Sequence, residues 1–125
     1  MHTVLIAESD RRLADLWRRH MERMGFEVRI AQTGEQAIDV ISVCDVRVIV
    51  LDLELDDGGA MSVSDYAAVR RPEARVIFVT SSSFFSDGSI FRMSANACAF
   101  LPSGTEPEDL AAMVDHYGQR HGAPT

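Results

Sequence analysis

Three apolar runs end on residues that can do chemistry. VLIA (4–7) stops at Glu8, VRVIVL (46–51) stops at Asp52, and RVIFV (75–79) runs into Thr80. Behind Asp52 crowd three more acids, Glu54, Asp56 and Asp57. Carboxylates that converge on one point make an oxygen site suited to a hard cation such as Mg²⁺. A carboxylate can also attack phosphorus, giving an acyl phosphate. The plain alternative is that acids at strand ends are solvated or cap the next helix. That alternative is enough for any one of them. Reactive groups ending three strands at one edge favour a shared site.

That reading requires elements that bring the three together. Five short runs rich in β-branched residues recur: VLIA (4–7), FEVRIA (26–31), VRVIVL (46–51), RVIFVT (75–80) and ACAFL (97–101). The third and fourth are almost unbroken in Val, Ile and Phe, as expected of strands covered on both faces. Helical patterns lie between them. Residues 11–24 put Leu13, Leu16, Trp17, Met21 and Met24 on one face, with Gly25 placed to end the helix. Thr33 and Gln36 make a T-x-x-Q capping box. Residues 62–71 form a third helix running into Pro72. Ser86 or Asp87 is placed to cap a fourth, and Pro107-Glu108-Asp109 opens a fifth. Regular alternation of strand and helix predicts a doubly wound α/β fold: a five-stranded parallel sheet with right-handed crossovers, helices on both faces and flavodoxin-like order 2-1-3-4-5. In that order the ligand crevice lies beyond the carboxyl ends of strands 1 and 3, where Glu8 and Asp52 fall.

The bulk properties fit one such domain. The chain of 125 residues, 46% hydrophobic and 25% charged, is expected to form a single domain over residues 1–125. Its start lacks a signal-peptide pattern, and no apolar run nears the ~20 residues of a membrane helix, so a cytoplasmic protein with no membrane partner is expected. Cys44 and Cys98 lack metal or redox spacing. The net charge of −7 argues against nucleic acid as a partner. All 12 basic residues are arginine; there is no lysine.

Taken in order, VLIAESD, VIVLDLELDDGGAM, VIFVTSSS and AFLPSGTEPEDL resemble the receiver domain of two-component response regulators, over roughly residues 3 to 118. The resemblance implies a non-enzymatic signalling module that takes phosphate from a histidine kinase or phosphotransfer protein. It makes Asp52 the phosphate acceptor, Glu8 the first acid of a Mg²⁺-binding pair, Thr80 the hydroxyl that follows the phosphoryl group and Phe100 the aromatic switch. It also implies that the first helix helps to dock the partner. Self-association through the fourth helix, strand 5 and the fifth helix is a further implication, supported here by Phe100 and the small residues Ala95, Ala97 and Ala99.

The departures are equally specific. Ser9 stands where the family has its second acid, and Ser103 where it has the lysine that pairs with the phosphoryl oxygens. Asp56 replaces the loop proline. Ala60 replaces a glycine, with Gly58 and Gly59 nearby to supply flexibility. Weak Mg²⁺ binding at Glu8 and Asp52 is therefore expected. Glu54 is the candidate replacement ligand if strand alternation continues past Asp52, and otherwise faces solvent. Impaired phosphorylation follows, because an aspartyl phosphate adds nearly two negative charges to an acidic crevice. Arg11 and Arg12 either lean into this crevice or lie solvated on the first helix.

Three rival functions are available. A receiver fold acting as a phosphorylation-independent docking or dimerising module keeps the fold and drops the chemistry. A haloacid-dehalogenase-like phosphatase would use Asp52-Leu53-Glu54 as its DxD motif, but that motif normally follows the first strand and requires a lysine. A flavin binder would need a neutral phosphate loop where ESDRR stands.

Overall fold

The computed structural model describes residues 3–80 and 96–120. The elements are β1 (Thr3–Ala7), α1 (Arg11–Arg23), β2 (Glu27–Ala31), α2 (Gly34–Val43), β3 (Val46–Asp52), α3 (Ala60–Arg70), β4 (Arg75–Thr80), β5 (Ala97–Pro102) and α4 (Pro107–Arg120). The helix opened by Pro107 is thus α4. The expected helix capped by Ser86 or Asp87, the Phe84-Phe85 loop and Ala95 lie outside the described residues.

All five strands are parallel, in the order β2-β1-β3-β4-β5. Because successive side chains point to opposite faces, each central strand feeds two cores. Leu5, Ile49, Leu51 and Phe78 pack on one face with Ala37 and Ile41 of α2 and Val63 and Ala67 of α3. Val4, Ile6, Val48, Val50, Ile77 and Val79 pack on the other with Trp17 and Met21 of α1 and Leu110 and Val114 of α4. This double burial is why β3 and β4 read as unbroken apolar runs. Edge strand β2 alternates exposed and half-buried residues instead. Among the described residues no helix is long and apolar enough to cross a membrane.

Helix ends follow local chemistry. Asp10 caps α1, accepting from the Arg12 N–H at 3.0 Å. Gly25, at φ 95°, turns the chain out of the helix in a conformation few side chains tolerate. Met24 departs from the expected apolar face: it sits at the C-cap, beyond the last packed turn, and is 43% exposed. At α2, Thr33 accepts from the Gln36 N–H at 3.1 Å. The return bond differs from a capping box, since Gln36 Oε1 takes the Gln32 N–H at 2.8 Å, one residue upstream of the cap.

Candidate functional site

The sheet order sets the site. Glu8, Asp52, Thr80 and Ser103 follow or end adjacent strands along one carboxyl edge. Glu8 continues the ladder past β1, its N–H donating to the Ala31 carbonyl at 2.9 Å. Asp52 ends β3 opposite Val79, and the next N–H, from Leu53, donates to the Val79 carbonyl at 2.9 Å. Thr80 ends β4 beside Pro102, and the Ser103 N–H donates to the Thr80 carbonyl at 2.9 Å. Glu8, Asp52 and Thr80 are all buried, with 4%, 8% and 3% of their surface exposed.

Two buried carboxyls cannot both remain charged at low cost. The Glu8 side chain hydrogen-bonds that of Asp52. Burial first, then the bond to Asp52 and the charges of Asp52 and Asp10, push Glu8 up to about 8, against the pull of the Asp10 N–H donating to its Oε2 at 3.0 Å. Asp52 is also raised, by burial foremost and by the nearby charges of Glu54 and Asp56. The Glu54 N–H, donating to Asp52 Oδ1 at 2.9 Å, and the Glu8 side chain oppose this. Raised together and in contact, the two carboxyls favour holding a proton between them. Asp52, buried at the end of β3, is the carboxyl whose ionised form could act as an oxygen nucleophile.

Glu54 does not extend the strand. Residues 53 and 54 form a turn, so alternation does not continue past Asp52, and Glu54 is exposed. Among the described residues no three His, Cys, Asp or Glu side chains are arranged to hold a metal ion. Glu8 and Asp52 are the two buried carboxyls at this edge that would hold a cation such as Mg²⁺, which prefers near-ideal octahedral oxygen coordination.

The neighbouring loops are tied together. Ser9 Oγ donates to the Gln32 carbonyl at 2.8 Å and accepts the Asp56 N–H at 3.0 Å. Gln32 Nε2 donates back to the Ser9 carbonyl at 3.3 Å. Asp57, which the sequence shows only as one more acid, accepts the Gly34 N–H at 2.9 Å and the Gly59 N–H at 3.1 Å. These donors, Gly34 foremost, hold its carboxyl below the usual range. The bond to Gly34 sits at the first residue of α2, where the helix dipole favours a negative charge. Gly59 turns out to supply room rather than flexibility: an added Cβ there would lie 3.2 Å from the Gly34 Cα.

The remaining candidates are less central. Asp56 is exposed and engages through its backbone. Phe100 is half-buried, opposite Phe78 in the β4–β5 ladder and packed on the core beneath α2 and α3. Arg11 lies along α1 toward Asp15 at 3.3 Å, and Arg18 pairs with Asp15 and Glu22, which laces the outer face of that helix with charge pairs.

Comparison with known proteins identifies the family and the fold. The family described as response regulator receiver domain matches residues 4–115, and the chain belongs to it. It is a receiver domain of the kind found in two-component response regulators. The photosynthetic apparatus regulatory protein RegA of Rhodobacter capsulatus is 31% identical over 108 residues, covering 86% of this chain and 58% of RegA. The chain thus spans about three fifths of that relative's length. Two solved structures share the fold. A CheY-like receiver domain protein from Methanospirillum hungatei JF-1 superposes with a TM-score of 0.87 at 24% identity, over 97% of this chain and 96% of that one. A response regulator from Burkholderia pseudomallei, solved with a phosphorylated aspartic acid, calcium ion and citrate, gives 0.79 at 20% identity, over 100% and 76%.

Proposed function

We propose that this receiver takes a phosphoryl group on Asp52, slowly and to low occupancy. The observation that supports the reading is a buried Asp52 ending β3, flanked along one edge by Glu8 and Thr80. A carboxylate oxygen of Asp52 attacks the phosphorus of a phosphohistidine on a kinase or phosphotransfer partner. The new P–O bond forms as the P–N bond breaks, and the imidazole leaves with its electron pair. Thr80 is placed to hydrogen-bond the phosphoryl group. Phe100 is the residue that would respond behind it. A protonated Glu8 lessens the repulsion that two charged carboxylates would exert on the incoming group.

The rate is limited by missing positive charge. Preorganised charge aimed at the transferring group is the main lever in phosphoryl transfer, and the chain has no lysine. Each unmatched charge pair at about 4 Å costs about 4 kcal/mol at an effective dielectric near 20. Mg²⁺ binds weakly, since it must displace the proton shared by Glu8 and Asp52 and finds Ser9 where a third carboxylate would stand. The calcium ion and phosphorylated aspartic acid of the Burkholderia pseudomallei regulator support acceptance of phosphate at an equivalent carboxylate.

The test is chemical trapping. The protein is incubated with a small phosphodonor, reduced with borohydride to convert an aspartyl phosphate to homoserine, and mapped by peptide mass. Conversion at position 52 alone is expected; conversion elsewhere, or nowhere, overturns the reading. A second reading, a docking module independent of phosphate, is favoured by the proton shared between Glu8 and Asp52, and full absence of labelling would select it.

A further inference from the structure

We infer that Ser9 is a positioning residue that fixes the loop after Asp52 by hydrogen bonds alone, so that the receiver crevice stays assembled without a cation. This rests on the receiver reading of the fold but not on phosphorylation of Asp52. Three loops meet at the edge: the one after β1 carries Ser9, the one after β2 carries Gln32, and the one after β3 carries Asp56. A hydroxyl has one proton to give and lone pairs to accept with, and Ser9 uses both functions. It donates to the Gln32 carbonyl at 2.8 Å and accepts the Asp56 N–H at 3.0 Å. Gln32 is held in turn by its own bond to the Ser9 carbonyl and by Gln36 Oε1. The next residue, Asp57, fastens the same loop to Gly34. Two consecutive residues of the loop are thereby tied to two other loops.

The chemistry of the position is selective. A carboxylate at residue 9 has no proton for the Gln32 carbonyl and is repelled by it at 2.8 Å, so it swings out of the clip and gives up the Asp56 N–H as well. Alanine loses both bonds. Threonine keeps the hydroxyl. The substitution that removes a metal ligand thus supplies a loop clip that an acid cannot.

The experiment is amide hydrogen exchange of the full chain by NMR, with chelator or with Mg²⁺. In the wild type the Asp56 amide is expected to be protected equally in both conditions. Losing one net hydrogen bond, worth about 1 kcal/mol, should speed its exchange about 5-fold in Ser9→Ala. Ser9→Thr should restore protection, and Ser9→Asp should speed exchange until Mg²⁺ is added. Unchanged Asp56 exchange in Ser9→Ala, or wild-type protection that appears only with Mg²⁺, overturns the inference. Should Ser9→Ala not fold, the threonine and aspartate variants decide it on the same amide. A protein that fails to take phosphate on Asp52 leaves these rates where they are.

Discussion

Replacing Glu8 with Gln should flatten the pH dependence of stability across the neutral range. In the folded protein the Glu8 carboxyl is raised from its ordinary 4.5 to about 8, chiefly by burial. The folded state therefore keeps a proton that the unfolded chain releases near 4.5. The stabilisation from this protonation is complete below 4.5 and is lost as pH climbs toward about 8, after which the curve levels. One proton of difference gives a slope of about −1.4 kcal/mol per pH unit, and the whole window sums to a ceiling of about 5 kcal/mol. A Gln side chain keeps both geometric roles. Its oxygen accepts the Asp10 N–H, now 3.0 Å from Glu8 Oε2, and its amide donates to Asp52 in place of the shared proton. Urea unfolding at a series of pH values between 5 and 8 supplies the slopes. The wild type should lose stability steadily, and Glu8→Gln should stay nearly flat and be the more stable protein at pH 8. Equal slopes in the two proteins would refute the shared proton.

The other predictions concern the same edge. Ser103→Lys places an ammonium beside Thr80 and should speed small-donor labelling about 100-fold, the scale of one preorganised donor, read by intact mass against time. Ser9→Asp, which on family grounds would restore a metal ligand, should add less than that, because it breaks the bond to the Gln32 carbonyl. Gly34→Ala should cost about 1–3 kcal/mol in urea unfolding, since its Cβ would lie 3.0 Å from the Gly59 Cα. Asp57→Ala should lower Tm at neutral pH and change it less in acid. The depressed Asp57 carboxyl stabilises the fold above its ordinary 3.8, and that contribution fades as pH falls through its folded value.

The sheet was legible because its information is local. Double burial makes β3 and β4 continuous apolar runs, and the polar residue that ends each run marks the carboxyl edge where Glu8, Asp52 and Thr80 meet. Helix ends were legible wherever one residue type suffices, as at Thr33 and Gly25. Met24 was misplaced because periodicity does not say where the last packed turn stops. Glu54 was extrapolated along a strand that ends two residues earlier. The ties among loops could not be read at all. Ser9 reaches Gln32 across 23 positions and Asp56 across 47, and Asp57 reaches Gly34 across 23. Such contacts depend on the path of the backbone between elements, and no period or spacing encodes them. Ser9 therefore read as a missing acid, although its hydroxyl has two partners of its own.

The most direct test of slow acceptance at Asp52 is a time course of intact mass with a small phosphodonor and Mg²⁺, wild type beside Asp52→Asn. A single phosphoryl addition that grows slowly, stays a minority species and is absent from Asp52→Asn is the predicted result. Rapid labelling to completion, or an addition that persists in Asp52→Asn, would contradict it.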